Sequence, residues 1–160
     1  MNKEVGNITI ENGRILFPNF SGMEKKFNPK GRRNFCAVID DPDLAAALER
    51  DGWHVKYLQP KEEGQMPLPY LQVGVNYGVI PPRIYMICGK KKTQLDEDSV
   101  GALDFAEITN VDMVIRPYVY EIGGKEGIKG YIKNMYVTIA EDPFASKYED
   151  PYDDEDLPFD

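Results

Sequence analysis

The chain is 160 residues long and 42% apolar, with a formal net charge of −8, one histidine and two cysteines. That length sustains one core burying well over half of the unfolded surface; so little His and Cys leaves no metal-type spacing and no imidazole-based triad, and no cofactor is expected. No apolar run approaches the ~18 residues of a membrane span and the opening MNKEVGNITI has no long apolar segment, so a soluble intracellular protein with no membrane partner is expected.

In chain order, NITIENGRILF (residues 7–17) places Asn12-Gly13 between two β-rich runs. Both residues tolerate positive φ, so a hairpin turn is expected there. RRNFCAVID (32–40) reads as a strand containing Cys36, which, like Cys88, is expected as a buried free thiol. DPDLAAALERDGW then predicts one short helix over about 41–51: Asp41 caps it, Pro42 suits its first turn, and Gly52 ends it. Residues 53–59, 70–77, 83–88, 111–122 and 130–140 read as strands, with Pro117 demanding an edge or a bulge. Short strands, one helix and no βαβ alternation favour a mainly β fold, a small barrel or sandwich, over residues 1–140.

Residues 141–160 form an acidic tail expected to be disordered. It holds nine acids (Glu141, Asp142, Glu149, Asp150, Asp153, Asp154, Glu155, Asp156, Asp160) against Lys147, and so carries the whole −8. The body is therefore neutral, and the low overall pI does not describe its surface. A solubilising end accounts for these acids but not for Leu157 and Phe159 at the tip. Apolar residues on an acidic end also suit a recognition peptide, in which acids steer and the apolar pair anchors.

The densest chemical signal is FPNFSGMEKKFNPKGRRNF, residues 17–35. Lys25, Lys26, Lys30, Arg32 and Arg33 outnumber Glu24, with Phe17, Phe20, Phe27 and Phe35 interleaved. Cations for phosphates beside rings for base faces are what a single-stranded nucleic acid requires; a basic loop whose phenylalanines enter the core has the same sequence. In MVIRPYVYE (113–121), Val114, Arg116, Tyr118 and Tyr120 share one face and Met113, Ile115 and Val119 the other. Trp53 and Tyr77 add further rings near strand ends. Gly89-Lys90-Lys91-Lys92-Thr93 fails the P-loop pattern and reads as a basic turn. The acids at 40, 41 and 43 and at 96–98 suit a helix start and a polar loop better than a two-metal site.

Two stretches resemble single-stranded DNA-binding proteins, specifically the small ones encoded by bacteriophages. The tip DDEDLPFD is similar to the acidic, Pro-Phe-ending tail of bacterial members, which docks replication and repair partners. NFSGMEKKFNPKGRRNFCAVID (19–40) looks like the N-terminal segment of phage-encoded members. The resemblance implies an OB-fold-like small barrel that binds single-stranded DNA without catalysis or metal, acting in replication, recombination and repair in the cytoplasm of an infected host. It gives Leu157, Pro158 and Phe159 the anchor role and Asp153, Asp154, Glu155 and Asp156 the steering role. Two features depart from the bacterial pattern: Asp160 follows Phe159, and the tether is only residues 141–152.

On this basis Lys25, Lys26, Arg32, Arg33 and Arg116 are expected at phosphates, and Phe27, Trp53, Tyr77 and Tyr118 at bases. Replication or recombination proteins are the expected partners of the tail. Other readings stay open: a non-enzymatic structural or assembly protein, a metal-dependent nuclease, and RNA in place of DNA. A homo-oligomer is compatible with the sequence.

Overall fold

Asn12-Gly13 is a bend in one long strand rather than a hairpin turn. In the computed structural model, which describes residues 5–26, 28–78 and 80–141, β1 (Ile8–Gly13) and β2 (Ile15–Asn19) are separated by Arg14 alone and do not pair with each other. Asn12 does take positive φ, at 53°, and its N–H donates to the Asp112 carboxylate at 2.8 Å. The positive φ redirects the strand, so that β1 pairs with β8 (Ile108–Ile122) and β2 with β3 (Arg33–Val38). A Cβ on Gly13 would lie 2.7 Å from Ile10 Cγ2, so the bend needs glycine there.

The nine strands make one sheet in the order β1-β8-β9-β5-β3-β2, with β5 at Leu68–Val75 and β9 at Lys125–Ile139. β4 (Lys56–Leu58) adds to β5; β6 (Arg83–Cys88) pairs with β7 (Lys91–Leu95) and runs parallel to β9. The ladder is not closed by hydrogen bonds. Its two ends, β1 and β2, are nevertheless successive arms of one bent strand, which brings the sheet round on itself. The fold is thus mainly β, with the one short helix in place: α1 (Pro42–Asp51) is capped by Asp41, which accepts from the Asp43 N–H, and ends at Gly52 with φ 103°. Ala45 and Leu48 are its buried residues.

Some elements differ from expectation. Lys91–Leu95 is a strand, leaving only Gly89-Lys90 as the turn. The run 53–59 keeps three strand residues plus a single parallel bridge from Trp53 to Ile128. Pro117 lies beyond the reach of β1, whose pairing ends at Ile115, and just past a bulge, so its missing N–H breaks no β1–β8 bond. Cys36 and Cys88 are free thiols but half-buried.

The core holds Phe20, Phe35, Ile84, Leu103, Val111, Ile115, Met135 and Val137, all fully buried. Phe20 and Phe35 stack at 5.4 Å between centroids, so two of the four rings in the basic stretch serve packing. Residues 142–160 lie outside the described residues, and with them the expectations for Asp153 to Phe159.

Candidate nucleic-acid interface

Much of the basic loop is held by side-chain amides. Asn19, 3% exposed, donates from Nδ2 to the Met23 carbonyl at 3.0 Å and accepts the Met23 N–H at 2.9 Å. Asn28 donates to the carbonyls of Met23, Pro29 and Arg32 and accepts from Asn34 at 2.7 Å. The Gly31 N–H closes onto the Gly22 carbonyl at 2.8 Å; Gly22 sits at φ 71°, where a Cβ would press on Gly31 at 3.2 Å. These bonds fix the backbone from Asn19 to Asn34, and Lys30 and Arg32 stand exposed at the loop's edge.

That edge forms one wall of a groove of about 1050 Å³. The opposite wall is the far end of the β8–β9 hairpin, contributing Tyr118, Tyr120, Ile122, Lys129 and Tyr131; Gln72, Gly74, Val75 and Tyr77 of and after β5 lie between. The lining contains Lys30, Arg32, Arg33, Lys56 and Lys129 against the single acid Glu97, with His54 alongside. A concave surface with this imbalance focuses positive potential on whatever enters it.

Tyr131 is the hub of the aromatic wall. Its ring lies on Gly74, where a Cβ would stand 2.9 Å away; only glycine admits so close an approach. Lys129 Nζ and the Arg116 guanidinium each lie 5.4 Å from the Tyr131 centroid, within cation–π range. Tyr118 meets Tyr131 edge-on at 6.2 Å and remains 54% exposed. Tyr120 lies over Gly127, where a Cβ would be 2.5 Å from its ring. Arg116 Nε is buried with no hydrogen-bond partner among the described residues.

Tyr77 and Arg33 form the junction between the loop and residues 96–97. Arg33 donates from Nε to the Phe20 carbonyl at 2.9 Å, pairs with Glu97 at 3.4 Å, and sits 5.9 Å over the Tyr77 ring. The Tyr77 hydroxyl is buried without a partner among the described residues, and burial chiefly pushes its pKa up to about 12, against a smaller opposing effect of Arg33.

The expected site residues thus divide. Arg32, Arg33, Trp53, Tyr77 and Tyr118 line the groove, and Arg116 flanks it beside Tyr131. Of these Trp53 is only 4% exposed and packs in the core, its ring forming groove floor beneath Gly130 rather than an open stacking face. Lys25 and Lys26 are exposed on the loop but outside the groove lining; Phe27 lies outside the described residues. Tyr131, Lys129 and Lys56 were not singled out in advance. Lys129 and Tyr131 have the strand spacing of Tyr118 and Tyr120, which is the signal that would have found them.

The acids have structural partners. Asp41 caps α1, Asp40 pairs with Arg14 at 3.1 Å, and Asp96 accepts from the Asp98 and Ser99 N–H groups and the Ser99 hydroxyl, which hold its pKa down. Asp104 accepts the Phe20 N–H at 2.7 Å and the Ser21 N–H and hydroxyl, tying the loop to the turn Val100–Phe105. Among the described residues no group of three or more His, Cys, Asp or Glu is placed to hold a metal ion.

A family model described as a putative phage ssDNA-binding domain matches residues 1–159. No curated protein matches the sequence. Among solved structures, the single-stranded DNA-binding protein from bacteriophage Enc34 aligns at 12% identity with a TM-score of 0.55, covering 97% of this chain and 96% of that one. Its form in complex with ssDNA aligns at 12% identity and TM-score 0.53, covering 89% and 96% of the two chains. At that identity the likeness concerns the fold.

Proposed function

We propose, from the premise that the chain belongs to the family of putative phage ssDNA-binding domains, that it binds single-stranded DNA along the groove between the 28–34 loop and the β8–β9 ribbon. The observation carrying this reading is five cations and four tyrosines with a single acid on one concave surface, where Tyr118 is 54% exposed. Lys30, Arg32, Lys56 and Lys129 meet phosphates, and Arg116, its guanidinium 5.4 Å from the Tyr131 centroid, adds positive charge to that wall. Tyr118 supplies the open ring for a base, with Tyr131 and Tyr120 beside it. None of these contacts reads a base edge, so binding is expected to tolerate most sequences and to weaken with salt.

The tail completes the proposal. Its −8 charge suits a competitor for the cationic groove, kept at roughly millimolar effective concentration by a short tether. DNA displaces it, and the freed Leu157-Pro158-Phe159 tip recruits replication or recombination proteins in the cytoplasm of the infected host. The protein acts by binding, coating and protecting the strand, and not as an enzyme.

The test is fluorescence anisotropy of a labelled oligo-dT of ~30 nucleotides with the full chain and with a version ending at Ala140, each at two salt concentrations. Expected are salt-sensitive binding, tighter after truncation, and far weaker binding of an equal-length duplex. Absence of binding by both versions overturns the groove reading; equal affinities at low salt overturn tail competition alone.

A further inference from the structure

A second aromatic pair lies outside the groove. Tyr85 on β6 and Tyr136 on β9 are register partners in the parallel pairing, and their rings stack at 5.1 Å with 13° between planes. Tyr136 is 38% exposed. Lys92 of β7 places Nζ 5.0 Å from the Tyr85 centroid. None of the three lines the groove.

A bulge puts this pair on the same face as the groove tyrosines. Tyr131 and Tyr136 are five positions apart, so strict alternation would send them to opposite faces. In the register, however, Val114 pairs with Asn134 and Ile115 with Ile132, leaving Lys133 unmatched. That extra residue resets the phase: Ile132, Met135 and Val137 are buried, while Tyr131, Asn134 and Tyr136 share the outward face. Tyr131 and Tyr136 are then roughly 16 Å apart along the strand.

We infer that a single strand leaving the groove continues along the outward face of β9 to a second stacking subsite, Tyr85–Tyr136, where Lys92 meets a phosphate. The inference rests on the single-stranded DNA reading above. A cross-strand aromatic pair by itself is ordinary sheet packing; the cation over the ring and the continuity with Tyr131 and Tyr118 go beyond it. Arg83, exposed at the start of β6 and two residues from Tyr85, adds positive charge on the same side. Asp112, opposite Tyr136 on β8, accepts from the Asn12 N–H at 2.8 Å and from Asn110 Nδ2 at 3.4 Å; its charge opposes a phosphate there and Lys92 and Arg83 offset it.

The experiment compares Tyr136→Ala and Lys92→Glu with the parent full chain on labelled oligo-dT of about 6 and about 30 nucleotides, the shorter one able to fill only the groove. Expected is a loss of roughly 5- to 100-fold on the long strand for Tyr136→Ala, a smaller and salt-dependent loss for Lys92→Glu, and no change on the short one. Tyr136→Phe, which keeps a stacking ring, should restore the long-strand affinity. Unchanged long-strand affinity in both variants overturns the subsite while leaving the groove reading standing. Should the parent bind neither length, the groove reading itself fails. Lys92 is exposed on β7, so Lys92→Glu decides the matter even where Tyr136→Ala lowers stability.

Discussion

The two halves of the β8–β9 hairpin share strands and differ in everything around them. Near its open end, residues 111–115 and 134–138 have neighbours on both sides, β1 against β8 and β6 against β9, and their inward side chains Val111, Met113, Ile115, Met135 and Val137 are buried. Toward the turn, residues 116–122 outrun β1, and Tyr118, Val119, Tyr120 and Ile122 are 54%, 47%, 37% and 72% exposed. The same kind of apolar strand sequence thus seals a core in one half and stands in solvent in the other. Exposed apolar side chains clustered in this way mark a surface built to meet something, and cations gather around this one.

The strongest way to break the comparison is from the core half. Ile115 is fully buried, and Ile115→Ala should cost about 2–5 kcal/mol of stability by leaving a cavity. Chemical denaturation should report this loss, while the folded fraction keeps its affinity for single-stranded DNA. A variant of unchanged stability would mean that the inner wall is not packed as described.

A smaller effect, on the other measurement, is expected from the ribbon half. Tyr118 contributes little to the core, so Tyr118→Ala should leave the denaturation midpoint within ~0.5 kcal/mol of the parent. Binding of oligo-dT should weaken by about 1–3 kcal/mol, the range for one lost stacked base, and Tyr118→Phe should bind like the parent. Were Tyr118→Ala to lower stability and spare binding, the two halves would have exchanged roles.

The contrast also marks what the sequence made legible. The helix at 42–51 was readable because its signals are local: Asp41, Pro42 and Gly52 each act on their own backbone. The Tyr118 and Arg116 face was readable because 113–121 alternates without interruption. Across the strand, Tyr131 was obscured because the bulge at Lys133 breaks the alternation, and a bulge depends on the partner strand. Trp53 looked like a platform in sequence, yet the bridge to Ile128 draws it under the sheet; nothing within WHVKYLQ encodes that neighbour. Asn12-Gly13 carried the right backbone preference, positive φ, with the wrong consequence. Whether such a dipeptide folds a strand back or only bends it is decided by which strands lie beside it, here β8 and β3.

The gentlest test acts at Tyr77, where the groove meets the body. Its hydroxyl is buried without a partner among the described residues, so Tyr77→Phe removes an uncompensated polar group and should stabilise the fold by about 1 kcal/mol. The pH dependence follows from the same burial. An ordinary tyrosine loses its proton near 10, whereas folded Tyr77 holds it to about 12. Below pH 10 both states keep the proton and the group adds no pH dependence. Between 10 and 12 the unfolded chain ionises first, so parent stability falls, and the loss is complete above about 12. Tyr77→Phe lacks this loss, so its advantage over the parent should widen as pH rises through that window, as measured by denaturation midpoints of the two proteins at each pH. A constant difference would show that the Tyr77 hydroxyl reaches water, and would move Tyr77 from the junction to the open side of the groove.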